Sequence, residues 1–359
     1  MAASDNRRAF PDDLAMEILV RLPVKSLLRF KCACKNWYAL IKSPSFIQQH
    51  LNCSKNKVLI YDYGAPDDDD DSPPISLIIL DDQNQENNPQ RFRGMAKLLG
   101  SVDGLFYLEC EFDRKLVSCA LWNPATREVR PLPLPAPETD DSNFYGERNF
   151  GFGLDPLTND YKVVHFCPSD FAAAVYSCSR DSWRIFRPKE FYLLKIKDVA
   201  DRIYGNAYLN GAYYWLLTGY HNCNILSFDF GSEVFEEIGG PDDHSVHYYA
   251  MALMLLDDSI AILNMVERFD FDIWIMIQPG VWNKLLTFQC CTKIKSCFDS
   301  SLILVTRAFR LVSYNVLTKK TRHLGFRHLG LKKFTVFGGC GVYCYKESLV
   351  AIKRGEVGH

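Results

Sequence analysis

The first fifty residues carry apolar positions that are spaced for short amphipathic helices. Leu14, Ile18 and Leu22 recur every four residues, which places them on one helical face. Trp37 and Ile41 repeat this spacing further along the chain. Three prolines stand at positions suited to the first turn of a helix, where a missing N–H has no cost: Pro11, Pro23 and Pro44. The pattern predicts three or four short helices.

This helical module holds many large apolar residues for its length, among them Phe30, Phe46 and Leu51. A module of about 40 residues is too short to bury such side chains in a core of its own. We therefore expect its apolar face to pack against something else. A partner chain is one candidate for that role.

Beyond residue 100 the pattern changes to short runs of Val, Ile, Tyr, Phe and Trp that are separated by turn residues. Bulky residues recur there as pairs that lie seven positions apart across a turn. The pairs are Trp122 and Val129, Tyr176 and Trp183, Phe228 and Phe235, and Ile275 and Trp282, and Tyr314 begins a fifth copy. Successive copies start 54, 52, 47 and 39 residues apart, close to the roughly 50 residues of a kelch-type propeller blade.

The expected fold class is α+β, with a small N-terminal helical module followed by a mostly β, propeller-like domain of about six kelch-like blades. Each blade would gain a core only by stacking on its neighbours. Lys57 to Tyr63 and Phe334 to Ile352 are candidates for the strands that close the ring. A β-sandwich is the alternative architecture for the same strands.

Two polar segments separate the helices from the β region. Asp67 to Asp71 is an unbroken acidic run, and residues 81–93 are rich in Asn, Gln and Asp. Both lack apolar periodicity, so we expect exposed loops on either side of a strand from Ile75 to Leu80. The acidic run is either a solvated loop or a patch that steers a basic partner.

Length, charge and cysteine content narrow the class of protein. The 359 residues suffice for a short module and one large domain. A net charge of -2 provides no overall positive field for nucleic-acid binding, so nucleic acid is not an expected partner. No apolar run reaches the roughly 18 to 20 residues of a membrane helix. The 13 cysteines, an odd number without a secretory signal, are expected to be reduced thiols in the cytosol or nucleus.

The sequence contains no recognisable catalytic or metal-binding motif. Pairs of cysteines and histidines occur without assembling four ligands in sequence: Cys290 and Cys291 with Cys297, Cys340 with Cys344, His244 with His247, and His323 with His328. A nucleophile elbow, a phosphate-binding glycine loop and a dinucleotide fingerprint are all missing. We therefore expect no metal, no cofactor and no catalytic residue, and a protein that is not itself an enzyme.

The helical module resembles the F-box in its plant form. The resemblance rests on Phe10 to Leu14, Ile18 with Leu19, Arg21 to Cys32, and Cys34 to Trp37, and Phe10 departs from the more usual leucine. It implies binding to a Skp-type adaptor, which links the module to the cullin and RING subunits of a ubiquitin ligase. By position, the resemblance places eight residues at or behind that interface: Pro11, Leu14, Ile18, Leu19, Leu22, Pro23, Leu27 and Trp37.

The β region resembles the plant F-box-associated domain, most nearly that of S-locus F-box proteins and their paralogues. The matching motifs are Leu121 to Glu128, Phe150 to Pro156, Asp160 to Val164, Asp181 to Arg184, Asn210 to Trp215 and Ile225 to Asp229. The resemblance implies a domain that binds a protein substrate for ubiquitination and proteasomal degradation. In self-incompatibility that substrate is a pistil ribonuclease. The implied domains are an F-box at 8–52, a linker with the acidic insert at 53–94 and the β domain at 95–355.

Other functions stay open from the sequence alone. The adaptor could serve turnover of another protein, such as an immune receptor, or the propeller mouth could bind a sugar or another small ligand. An enzyme of the propeller class would need polar groups that converge only in the folded chain. The expected location is the cytoplasm, with the nucleus as an alternative. Specificity is expected in the segments least like the family pattern: 135–148, 167–173, 187–202, 239–247 and 265–272.

Overall fold

The computed structural model describes residues 12–62, 76–80, 85–87, 95–112, 115–134, 149–167, 172–189, 191, 203–218, 223–241, 251–256, 258–267, 270–290, 293–298, 301–305, 310–327 and 342–352. Pro11 and the acidic run lie outside the described residues. Within the described part of the chain, no helix is long and apolar enough to cross a membrane.

Four short helices form the N-terminal module: α1 (Asp12–Leu19), α2 (Val24–Phe30), α3 (Lys35–Lys42) and α4 (Pro44–Cys53). The Ser43 hydroxyl accepts a hydrogen bond from the Phe46 N–H at 3.3 Å and caps α4, whose first residue is Pro44. Pro23 precedes α2 in an extended conformation. The number of helices and the role of these prolines at helix starts agree with the sequence pattern.

The described strands after the helices form six four-stranded antiparallel sheets, each of which is one blade. The first blade in the chain contains β1 (Lys57–Asp62), β2 (Ser76–Leu80) and β3 (Gln85–Asn87), and it is completed by the last strand, β24 (Val342–Tyr345). The second contains β4 (Met95–Val102), β5 (Leu105–Phe112), β6 (Lys115–Asn123) and β7 (Glu128–Leu132). The third contains β8 (Asn149–Asp155), β9 (Asp160–Cys167), β10 (Ala172–Ser177) and β11 (Ser182–Phe186).

The other three blades follow the same order along the chain. The fourth contains β12 (Ile203–Leu209), β13 (Ala212–Thr218), β14 (Cys223–Asp229) and β15 (Val234–Gly239). The fifth contains β16 (Met251–Leu256), β17 (Ser259–Glu267), β18 (Asp270–Gln278) and β19 (Val281–Gln289). The sixth contains β20 (Lys293–Phe298), β21 (Ser301–Val305), β22 (Arg310–Asn315) and β23 (Lys320–Arg327).

The ring closes where the two ends of the β domain meet. β24 pairs antiparallel with β1, with Val58 opposite Cys344 and Leu59 opposite Tyr343. The first strands of neighbouring blades, and β24 in the closing blade, contact one another around the ring. The predicted six-bladed propeller with closing strands from both ends of the domain is therefore confirmed. β1, β2 and β3 all fall within the predicted linker 53–94, and the exact domain bounds stay a prediction. The expectation of a loop at 81–93 is wrong for Gln85–Asn87, which pair with β2 as the fourth strand of the first blade.

The seven-residue spacing in the sequence corresponds to the hairpin between the third and fourth strands of a blade. Its pairs are direct cross-strand partners in three blades: Trp122 and Val129, Tyr176 and Trp183, and Phe228 and Phe235. Tyr314 faces Thr321 in the same way. In the fifth blade Trp282 faces Met276 instead of Ile275, because a β-bulge follows Met276 and the turn is shorter.

Each of the longer hairpin turns uses the same backbone solution. The last strand residue, Asn or Asp in most turns and Ser177 in the β10–β11 turn, accepts hydrogen bonds from N–H groups inside the turn, as Asn123 does from Ala125 at 3.0 Å. Asp155, Asp229 and Asn315 make equivalent bonds. The final turn residue has positive φ: Arg127 at 62°, Asn159 at 55°, Asp181 at 53°, Glu233 at 56° and Lys319 at 56°. Asn and Asp in front of these turns are therefore structural.

A buried ion network joins the third blade to the fourth. The Lys162 ammonium lies 2.8 Å from Asp155 Oδ2, 2.8 Å from Glu233 Oε1 and 3.0 Å from the Phe230 carbonyl oxygen. Burial by itself would raise the pKa of Asp155, but hydrogen bonds from Lys162, Thr158 and the Leu157 N–H outweigh it and lower that pKa from 3.8 to about 2. The carboxylate is thus held in its ionised form.

We predict that Gly104→Ala destabilises the fold much more than Gly280→Ala. Both glycines have positive φ, +77° and +76°, so alanine is strained by about 1 kcal/mol at each. A Cβ at Gly104 would also lie 2.3 Å from the Lys346 carbonyl oxygen, whereas Gly280 faces open space. Urea unfolding should show an additional loss of about 2 kcal/mol or more for Gly104→Ala. Equal losses for the two variants would contradict this packing.

We predict an acid-sensitive contribution from Asp155. A carboxyl whose folded pKa is depressed adds stability above its unfolded pKa of about 3.9 and loses it as the pH falls toward about 2. Asp155→Asn should therefore be less stable than the parent by about 2 kcal/mol at neutral pH, and this gap should narrow below about pH 4. Urea unfolding across that range measures the gap, and a pH-independent difference would show that the carboxylate charge is not responsible.

Candidate functional site

The propeller has two distinct ends. The turns between first and second strands lie together with those between third and fourth strands, since Gly231 of the β14–β15 turn lies beside Leu157 of the β8–β9 turn. We call this the turn end. Segments that join second to third strands, or one blade to the next, start and finish at the opposite end, which we call the loop end.

The helices lie at the turn end. Leu349 is 3% exposed and packs in the helical core with Val24, Leu27 and Phe46, and Ala125 in the β6–β7 turn contacts the same cluster. The Val24 N–H donates to Glu347 Oε2 at 3.1 Å. The expectation that the module shares its apolar face with something else is met in part by the propeller itself.

The predicted interface residues divide into a buried set and an exposed set. Leu19 and Leu27 are buried in the helical core, at 2% and 0% exposure. Leu22 and Trp37 are half-buried against it. The ring of Trp37 lies edge-on to Phe30, with 5.3 Å between centroids. Leu14, Ile18 and Pro23 are exposed, and Pro11 lies outside the described residues. The role of all eight in binding an adaptor stays a prediction.

The exposed set contains an apolar pair on α1. Leu14 is 44% exposed and Ile18 is 47% exposed, and their four-residue spacing puts them on one side of the helix. Glu17 and Arg21 flank the pair with an ion pair of 3.1 Å on the surface. Two adjacent branched apolar side chains at the tip of a small helical module form a surface suited to a protein partner.

The four helices, residues 12–53, contain six Lys or Arg and three Asp or Glu, and the three acidic residues all lie in α1. Residues 18–61 contain no Asp or Glu and eight basic side chains: Arg21, Lys25, Arg29, Lys31, Lys35, Lys42, Lys55 and Lys57. The whole chain has a net charge of -2, so the remainder carries -10. Partial burial, together with the neighbouring Lys42 charge, lowers the pKa of Lys31. The helices after α1 therefore carry a positive charge that would attract an acidic partner.

The strands that flank the segments expected to carry specificity start or finish at the loop end. β7 ends and β8 starts there, which places both flanks of segment 135–148 at that end. The other four segments lie at 167–173, 187–202, 239–247 and 265–272. The strand before each of them also ends at the loop end, and the strand after each of them starts there. The described ends of the segments expected to carry specificity thus lie at the end of the ring away from the helices.

The described residues contain no group of three or more His, Cys, Asp or Glu side chains that could hold a metal ion. The cysteines among them include free thiols on the surface, such as Cys32, and in the interior, such as Cys223. Burial raises the pKa of Cys178 and of Cys223 to about 12, which makes both poor nucleophiles.

Two important residues escaped the sequence analysis. Glu347 joins the C-terminal segment to the helices, and its Oε1 also lies 3.0 Å from Lys57 Nζ. The Asn123 side-chain amide donates to the carbonyl oxygens of Ser348 and Val350, at 3.1 and 2.9 Å. Asn123 precedes the β6–β7 turn, but its contacts across more than 200 residues leave no local signal.

Comparison with known families matches both parts of the chain. A model of the F-box domain matches residues 9–49. A model of the F-box associated beta propeller domain matches residues 76–352. The second match spans most of the chain and includes β2, β3 and β24 of the closing blade, whereas β1 lies before it.

Similar curated proteins come from Arabidopsis thaliana. An F-box/kelch-repeat protein is 26% identical over 326 residues, which is 85% of this chain and 87% of the relative. An F-box/LRR-repeat/kelch-repeat protein is 29% identical over 306 residues, covering 82% and 78% of the two chains. An F-box/WD-40 repeat-containing protein is 27% identical over 302 residues, covering 77% and 68%.

We predict that two substitutions within the predicted interface set destabilise the fold to very different extents. Leu27→Ala should cost about 2–5 kcal/mol, because it leaves a cavity in the helical core. Ile18→Ser should cost less than about 1 kcal/mol, because the side chain is already half in solvent. Urea unfolding of the full chain measures both losses. A large loss for Ile18→Ser would show that Ile18 supports the module and is not available to a partner.

Proposed function

Because the chain belongs to the family of plant F-box proteins with an F-box-associated β-propeller domain, we propose that it is the substrate-recognition subunit of a Skp/cullin/F-box ubiquitin ligase. Proteins of this family are substrate adaptors in general. The F-box binds a Skp-type adaptor, which connects it to cullin and RING subunits. The propeller binds a protein that is then ubiquitinated by the other subunits and degraded by the proteasome, so this chain needs no catalytic group.

The observation that carries this proposal is the placement of two different surfaces at opposite ends of one ring. The helices at the turn end expose Leu14 and Ile18. The divergent segments begin and end at the loop end. A protein that connects two partners needs two binding surfaces that do not overlap, and this arrangement supports such a role.

Support for adaptor docking comes from both shape and charge. Leu19 and Leu27 hold α1 and α2 together from behind, so the exposed pair on α1 is presented on a packed base. The positive charge of residues 18–61 favours an adaptor with an acidic docking surface, since complementary charges raise the association rate. The apolar pair would then supply the short-range contact.

The substrate is proposed to be a protein with a basic surface. The acidic run Asp67 to Asp71 joins β1 to β2, whose facing ends, Asp62 and Ser76, lie at the loop end. A basic ribonuclease, as in S-locus self-incompatibility, suits such a surface, and turnover of another protein, such as an immune receptor, is the alternative. Free thiols such as Cys32 and Cys53 support a reducing location, for which we propose the cytoplasm, with the nucleus as the alternative.

We predict that Leu14→Asp/Ile18→Asp abolishes capture of a Skp-type adaptor and cullin by the tagged protein. Two charges would be buried without partners in the apolar contact, and this should reduce recovery at least about hundredfold. Leu157→Asp is the matched control, because Leu157 is a 79% exposed leucine on a propeller turn. Affinity purification followed by mass spectrometry compares the three proteins. Capture by the double variant at the parent level would refute docking through α1.

We also predict that adaptor association depends on salt. The association rate should fall about tenfold between roughly 0.05 and 0.5 M salt, because added ions screen the basic module. Arg29→Glu should lower the rate at low salt, whereas Lys320→Glu, an exposed charge on β23, should leave it unchanged. Surface plasmon resonance with the full chain measures these rates. A salt-independent rate would exclude electrostatic steering by the helices.

A further inference from the structure

The residues that follow the closing strand β24 contact both the propeller and the helices. Residues 346–352, which we call the C-terminal segment, follow β24 and lie along the second blade. The Asn123 amide holds the carbonyl oxygens of Ser348 and Val350 at 3.1 and 2.9 Å. The Ile352 N–H donates to Glu128 Oε2 at 3.4 Å. One side of the C-terminal segment is therefore bound to the propeller.

The other side of the C-terminal segment is bound to the helices. Glu347 Oε2 accepts the first N–H of α2, from Val24, at 3.1 Å, and Glu347 Oε1 lies 3.0 Å from Lys57 Nζ. The Glu347 side chain is only 16% exposed, so water competes weakly for these contacts. Leu349 is 3% exposed within the helical core. The same seven residues thus contact both parts of the molecule.

These contacts add a second attachment to the covalent one. The helices are joined to β1 only by residues 54–56, and the C-terminal segment returns to them from β24, the partner of β1. A body held at one short link can rotate about it, whereas a body held also by a buried leucine and a carboxylate cannot rotate freely. The two attachments lie on either side of the point where the ring closes.

We propose that Glu347 and Leu349 are positioning residues that fix the adaptor-binding face of the helices relative to the loop end of the propeller. This inference rests on the proposed function for its purpose, because a ligase must bring a bound protein and the ubiquitin-carrying enzyme to a constant separation. The rigid attachment itself is a physical property that does not depend on that function.

The test measures the distance between the two parts in the full chain. Donor and acceptor dyes are placed at Gln48 on α4 and at Asn283 on β19, which are both exposed. Genetically encoded amino acids carry the dyes, since the 13 cysteines preclude thiol labelling. Single-molecule energy transfer is recorded for the parent, Glu347→Ala, Glu347→Gln and Leu349→Ala. The matched control is Glu267→Ala, an exposed carboxylate on β17.

The parent and the control should give one narrow distance distribution, and Glu347→Ala and Leu349→Ala should give a clearly broader one. Glu347→Gln keeps an acceptor for the Val24 N–H, so its distance distribution should have an intermediate width. Hydrogen exchange in α2 should become about tenfold faster in Glu347→Ala, while exchange in the blades distant from the helices stays unchanged. That unchanged exchange distinguishes loss of positioning from loss of folding.

A parent-like distribution in Glu347→Ala and Leu349→Ala would overturn the proposal. Adaptor affinity is measured on the same proteins and should stay within about threefold of the parent, because neither residue belongs to the exposed pair on α1. If the parent itself does not bind an adaptor, the proposed function fails, and the distance distributions still decide whether the C-terminal segment fixes the helices.

Discussion

The pairing of β24 with β1 is the interaction on which the rest of the structure depends. A four-stranded blade has two apolar faces and cannot bury both without neighbours on each side, so an open row of blades would expose two of them. Closure removes those exposed faces by completing the first blade with the last strand. It also brings the chain after β24 to the place where the helices enter the ring, which is why the N-terminal module and the C-terminal segment meet.

Much of the fold could be predicted because it is encoded locally. The seven-residue spacing follows from a four-residue turn between paired strands, and Asn or Asp before the turn satisfies its N–H groups. The spacing failed by one residue at Ile275, where a bulge alters the register, and bulges depend on packing that sequence spacing does not show. Proline and serine predicted helix starts for a similar local reason.

The candidate site was only half predictable. Helical periodicity groups Leu14, Ile18 and Leu19 as apolar positions on α1, but it does not show which of them face solvent. That division depends on where α2 and Leu349 pack, and Leu349 lies more than 300 residues away. Glu347 and the long-range bonds of Asn123 are hidden for the same reason. The family-like motifs are turn and core residues, so they identify the fold and leave the substrate to the loop end.

The central claim is that the two ends of the ring bind different partners. Cross-linking mass spectrometry of the assembled ligase, purified with its captured protein, tests this most directly. We expect the adaptor to cross-link to lysines of the helices, such as Lys25 and Lys35. We expect the captured protein to cross-link near the loop end, for example to Lys189, which is exposed after β11. Cross-links from the captured protein to the helices or to Lys319 at the turn end, with none near Lys189, would contradict it.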